Sequence, residues 1–171
     1  DELNELAVPL REEILNQTSI HAGHLSSNLG AIEATIALCK IFDFDKDKIL
    51  FDVGHQCYAY KILTGRSLNK LRQVDGISGF QKIGESPYDV FDAGHSSTAI
   101  SVANGFALAR DNANENYNII VFIGDASIDN GVSYEGIRFL GKHNNKVIII
   151  LNDNTDKNKE NIFNEKLFNS F

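Results

Sequence analysis

Tryptophan and methionine are absent from the 171 residues, and there are only two cysteines and two prolines. Cys39 and Cys57 form no CxxC pair, so neither a disulfide framework nor a cysteine-rich zinc site organises the chain. Two reduced cysteines in a cytosolic protein are expected instead. The missing tryptophan and methionine, beside abundant asparagine, lysine and isoleucine, read as compositional drift without functional meaning. No apolar run approaches the roughly 20 residues needed to cross a bilayer, and no secretory signal opens the sequence. Cytoplasmic residence with no membrane partner is therefore expected. Positive charge is also scarce: 16 Lys and Arg against 23 Asp and Glu give a net charge of -7, which argues against nucleic-acid binding. A phosphorylated small molecule is not excluded, because one metal ion supplies positive charge locally. Dinucleotide (GxGxxG), P-loop (GxxxxGK[ST]) and hydrolase-elbow (GxSxG) motifs are all missing.

What is present begins with a hydrophobic fraction of 43% and a charged fraction of 23%, ordinary for one globular domain of this length. Two stretches organise the rest, residues 119–127 and 147–154. Each is a short, nearly continuous apolar run ending abruptly in small and oxygen-bearing residues. Runs of this kind, rich in β-branched side chains, predict strands buried on both faces in a parallel sheet. A helix is expected between them over 132–142. Ligands of open parallel sheets bind beyond the carboxyl ends of the strands, which is where Asp125 and Asn154 fall. Two hard oxygen ligands at neighbouring strand ends suit a magnesium ion that also holds phosphates.

Along the chain, Leu3, Leu6, Leu10, Ile14 and Leu15 have helical spacing, and Pro9 is expected to divide that helix into two pieces. Residues 18–30 read as a loop. It contains His21 and His24, three apart but flanked by glycine and serine, which favours a histidine reaching a ligand over a zinc pair. Asn28 or Ser27 is expected to cap a helix over 29–42. A strand over 49–53 ends at Gly54 and His55, again at the carboxyl edge of the sheet. Short helices are expected over 58–64 and 68–73, then an irregular loop over 76–92. Ser96, Ser97 and Thr98 precede a buried helix over 99–110, where they offer N-caps or a place for an anion. The tail, 155–171, reads as a mobile arm.

Five polar positions thus share one edge of a sheet: His24, His55, His95, Asp125 and Asn154. The segments that carry them, 24–30, 52–56, 61–66, 88–98, 123–125 and 147–154, closely resemble 1-deoxy-D-xylulose-5-phosphate synthase, a thiamine-diphosphate enzyme family related to transketolase. The resemblance runs in family order from about residue 3 to 154 and covers only the N-terminal, diphosphate-binding part. It implies an α/β fold, an open and mainly parallel sheet with helices on both faces, for residues 1–154, with 155–171 a tail or the remnant of a longer segment. It implies that Asp125 and Asn154 bind Mg2+, and that His55, Gly94, His95, Ser96, Ala126, Ser127 and Asn154 line the thiamine-diphosphate site. His24 and His55 are the catalytic residues it implies, with His24 on the substrate side. The implied reaction joins pyruvate to D-glyceraldehyde 3-phosphate with loss of CO2, on the route to isoprenoid precursors, in a homodimer.

Three departures accompany the resemblance. Ala126 stands where the family pattern has glycine, which would strain the turn by roughly 1 kcal/mol or more if that position needed a positive φ. Thr155, Asp156, Lys157 and Asn158 stand where the family pattern has a short Met-Ser-Ile-like run after Asn154. The pyrimidine-binding domain, with its activating glutamate, is not within the sequence. It would have to come in cis or from another subunit, and the chain alone is expected to be inactive. Half of a split transketolase, or a silent paralogue serving as an interaction module, are the alternative readings.

Overall fold

The computed structural model describes residues 2–153, with side chains from Asn4 onward. Asn154 and the expected tail lie outside the described residues. The chain opens with α1 (Glu2–His21), one helix that contains Pro9 rather than two pieces. The proline is tolerated because it lies on the exposed face. Its ring forgoes the bond to the carbonyl of Glu5, which is also exposed and open to water. The buried face is Ala7, Leu10, Ile14, Gln17 and Thr18, whereas Leu6 and Leu15, expected in the core, are 44% and 42% exposed.

Much of the expected 18–30 loop is helical. α1 continues to His21, and α2 (Leu25–Leu29) follows before α3 (Ile32–Ile41). Ala31, not Ser27 or Asn28, occupies the N-cap position of α3. The strands are β1 (Lys48–Phe51), β2 (Ile119–Gly124) and β3 (Ile148–Asn152), all parallel and in the order β1-β2-β3. Between them lie α4 (Tyr58–Leu63), α5 (Ala99–Asn112), α6 (Asp125–Ile128) and α7 (Gly131–His143). Residues 68–73 form turns instead of the expected helix. Leu68 and Leu71 are buried, but Arg72 takes a φ of +59°, which turns the chain away from a helix.

The architecture is α/β with helices on both faces of the sheet. Alternation along the strands sorts the side chains: Ile49, Phe51, Ile120 and Phe122 pack under α1, α3 and α4. Leu50, Ile119, Val121 and Ile123 point the other way, against α5 and α7. β2 is central, and its residues 119–123 are at most 1% exposed, as expected of a doubly covered strand. β3 departs from that expectation. Among the described residues it is an edge strand, and Ile148 and Leu151 are 40% and 39% exposed.

At the opposite border, Gln81 closes the free side of β1. Its side-chain amide accepts from Phe51 N–H at 2.8 Å and donates to the Ile49 carbonyl at 3.1 Å. Both groups point away from β2, so one carboxamide stands in for part of a neighbouring peptide chain. The 76–92 segment that carries Gln81 is irregular as expected, apart from a 3-10 turn over Ile83–Glu85. Buried ion pairs pin it: Lys61 Nζ to Glu85 at 2.5 Å and Arg66 to Asp89 at 2.5 Å, with the Lys61 side chain 0% exposed.

Candidate functional site

Three loops are joined at the carboxyl edge of the sheet, and Asp52 joins the first two. Asp52 directly follows β1 and is 1% exposed. Its carboxylate accepts from the N–H groups of Ser97 at 2.8 Å and Ala99 at 3.0 Å, at the start of α5. The hydroxyls expected to cap α5 do other work. Thr98 holds the N-cap position without a side-chain cap bond, and its hydroxyl donates to the His95 carbonyl at 3.0 Å. Ser97 Oγ donates to the Ser127 carbonyl at 2.8 Å, which ties the second loop to the third. The Ser133 hydroxyl donates to the same carbonyl at 2.8 Å. The first N–H of α5, at a helix N-terminus open to an anion on the sequence reading, is therefore already taken by a carboxylate of its own chain.

His24 and His55 come together. Their rings lie 5.0 Å apart between centroids in an edge-on arrangement, and Phe80 stands 5.8 Å from His24. His55 follows Gly54, whose φ of +99° is left-handed and where an added Cβ would meet Ala93 Cβ at 2.5 Å. Both imidazoles are held below their ordinary pKa. For His24 the causes are burial and then the Arg72 charge. For His55 they are burial and then His24, partly offset by the Asp52 carboxylate. Each ring is thus neutral at pH 7, with one N–H donor and one bare acceptor nitrogen.

The remaining expected residues spread along the same edge. Gly94 and His95 are exposed; His95 Nδ1–H donates to the Ser96 carbonyl at 2.9 Å. Asp125 is half-buried and opens α6 at the end of β2, and Ser127 is buried behind it. Ala126 is exposed and sits inside α6 with an ordinary helical backbone, so the turn does not need the positive φ that glycine would supply. Gly124 pairs with Asn152, which brings Asp125 and Asp153 off adjacent strands at the same level. Asn154, the other expected metal ligand, lies outside the described residues. Among the described residues, no three His, Cys, Asp or Glu side chains gather as a metal cluster.

A family model described as 1-deoxy-D-xylulose-5-phosphate synthase matches residues 1–166. The chain belongs to that synthase family. It is 53% identical over 156 residues to the 1-deoxy-D-xylulose-5-phosphate synthase of Dehalococcoides mccartyi BAV1, covering 90% of this chain and 25% of that protein. The synthase of Clostridium beijerinckii is 54% identical over 151 residues, 87% of this chain and 24% of its own length. That of Oleidesulfovibrio alaskensis is 48% identical over 170 residues, 98% and 27% respectively. The chain thus spans about a quarter of the length of the curated relatives it matches.

The synthase-family segment also contains site residues that the sequence reading overlooked. Asn28 was expected to be a helix cap, yet its side chain bridges the His24 and His55 loops. Asp52 was read only as the end of a strand. The available signal was a carboxylate directly after a buried strand, where a partner is obligatory. Gln81, inside an irregular loop, left no periodic trace at all.

Proposed function

We propose that this chain is the N-terminal, diphosphate-binding portion of a 1-deoxy-D-xylulose-5-phosphate synthase. The whole enzyme is a transferase that condenses pyruvate with D-glyceraldehyde 3-phosphate with loss of CO2, using thiamine diphosphate and Mg2+. The observation that carries this reading is the joined edge: the loops of His55 and Asp125 are locked together through Asp52 and Ser97, and His24 packs against His55.

The donor set fits the cofactor. Asp125 offers a hard carboxylate oxygen at a strand end, where it and Asn154 would hold Mg2+. The remaining places around the ion would fall to neutral oxygens and to the diphosphate itself. Gly94, His95, Ser96, Ala126 and Ser127 would line the diphosphate and its neighbourhood, with His55 alongside. Bound there, thiamine diphosphate supplies the nucleophilic carbon for carbon–carbon chemistry. The chain's own part is to orient and to move protons. His24 and His55, both neutral, can accept a proton at a bare ring nitrogen or release one from the other. Ala126 poses no backbone obstacle, which weakens one of the two motives for reading the chain as a silent interaction module, the other being the loop after Asn154.

Residues 1–154 act as one unit on this reading, with 155–171 a tail or the remnant of a longer segment. A pyrimidine-binding region, in cis or in trans, and a second copy of the enzyme complete the site. The test is calorimetry of thiamine diphosphate with Mg2+ against this chain together with the C-terminal three quarters of the Dehalococcoides relative. Saturable binding that weakens at least tenfold in Asp125→Ala supports the reading. No binding by the unaltered chain with that partner present refutes it.

A further inference from the structure

We propose that Asn28 is a positioning residue that sets the separation of His24 and His55 by donating both hydrogens of its side-chain amide to the backbone carbonyls of the two histidines. The proposal rests on reading those histidines as the proton-handling pair.

Asn28 Nδ2 is 2.6 Å from the His24 carbonyl oxygen and 2.7 Å from that of His55. Its Oδ1 accepts from the Tyr58 N–H at 2.9 Å. The residue is 1% exposed, so water does not share these bonds. The contact to His24 is local, one helical turn back along α2, whereas the contact to His55 spans 27 residues of sequence. One planar group therefore bonds the backbone of both chain segments at once.

Both segments need fixing. His24 follows Gly23 and His55 follows Gly54, so neither histidine has a preceding side chain to anchor it. Tyr58 adds a second grip near His24, whose N–H reaches the Tyr58 hydroxyl at 3.5 Å. Tyr58 is itself tied at its N–H to Asn28, so the contacts converge on one amide. The chemistry singles out asparagine. The position needs two donors facing carbonyls and one acceptor facing an N–H, within a short, buried side chain. Aspartate has the shape but, when ionised, turns acceptors toward both carbonyls. Alanine leaves the His55 carbonyl and the Tyr58 N–H without their partner, and the His24 carbonyl with only the long contact from the Ser27 hydroxyl at 3.4 Å. Proton transfer between positioned groups is sensitive to displacements of about 1 Å, which can cost on the order of 100-fold in rate.

The test is NMR of the isotope-labelled chain without cofactor, reading the cross-relaxation peak between the His24 and His55 ring protons. In the unaltered chain that peak is expected, and both Asn28 Nδ2 protons should exchange about 100-fold more slowly than those of a free amide. In Asn28→Asp at neutral pH the peak should fall by more than half, while peaks within the Phe51–Phe122 core stay. Loss in Asn28→Ala with retention in Asn28→Asp would reduce Asn28 to filling space and overturn the proposal. So would exchange of the Asn28 amide protons at the free rate, a measurement that does not require any variant to fold. Because no cofactor is involved, a failure here leaves the cofactor reading standing. Failed calorimetry with the ring peak intact sinks only that reading.

Discussion

Replacing Asp52 with alanine is expected to cost the chain about 3–5 kcal/mol of stability. The figure follows from two backbone N–H groups, on Ser97 and Ala99, that Asp52 alone satisfies at 2.8 and 3.0 Å. Ser97 and Ala99 are 1% and 0% exposed, so water cannot take over, and each orphaned donor costs about 1–3 kcal/mol. Loss of a helix cap at more accessible sites reaches only about 2 kcal/mol. The excess here comes from burial and from having two donors. Asp52→Asn keeps one acceptor oxygen but turns its NH2 toward the second donor, for about 1–3 kcal/mol. Urea denaturation reads both variants. With an m-value of about 2 kcal/mol/M, the alanine variant should shift the midpoint by roughly 2 M at constant m. A second readout is independent of stability: the Asp52 carboxylate raises the His55 pKa against burial, so Asp52→Asn should lower the His55 midpoint in an NMR titration. A loss below about 1 kcal/mol in Asp52→Ala, or a His55 midpoint that rises in Asp52→Asn, would refute the reasoning.

Other substitutions probe the same frame. Gly54→Ala forces a left-handed φ and a 2.5 Å approach to Ala93, and should cost about 2–4 kcal/mol in the same urea assay. Ala126→Gly, on an exposed helical position, should destabilise by no more than about 1 kcal/mol; a gain in stability would mean that the turn is strained after all. Glu85→Ala strands the fully buried Lys61 and should cost about 3–5 kcal/mol, much of it recovered when Lys61→Met and Glu85→Leu are combined. His24 and His55 titrate lower when folded than when unfolded. Their contribution is therefore complete above the ordinary value of about 6.5 and is lost as pH falls through it toward the folded values. Thermal melts between about pH 7 and pH 5 should show that slope flattened in a His24→Gln, His55→Gln double variant.

The sheet and its site edge were legible because the relevant signals are short-range. A run such as Ile119 to Ile123 announces a doubly covered strand, and a polar residue directly after it announces the ligand edge. Of the histidines that follow glycine in three loops, His24 and His55 come together in the structure. Where the reading failed, the deciding interaction was long-range. Pro9 sits within α1 because tertiary packing chose Ala7, Leu10 and Ile14 as the buried face and left the proline in water. Asp52 caps a helix that begins 47 residues later, while the hydroxyls beside that helix are drawn to other carbonyls. Asn28 bonds across 27 residues, and no local pattern marks such a bridge. β3 reads from its composition like β2, but its place at the border of the sheet depends on what stands beside it.

Gln81 makes the two borders of the sheet unequal. A strand border is a row of unspent donors and acceptors, and any chain with free peptide groups can lengthen the ladder there. At β1 the outward donor of Phe51 and acceptor of Ile49 are already spent on one side-chain amide, and buried ion pairs keep that amide in place. At β3, among the described residues, no strand pairs with the outer side, and Ile148 and Leu151 keep apolar surface beside it. Among the described residues the ladder is thus unequal: partly closed where it starts and open where it stops.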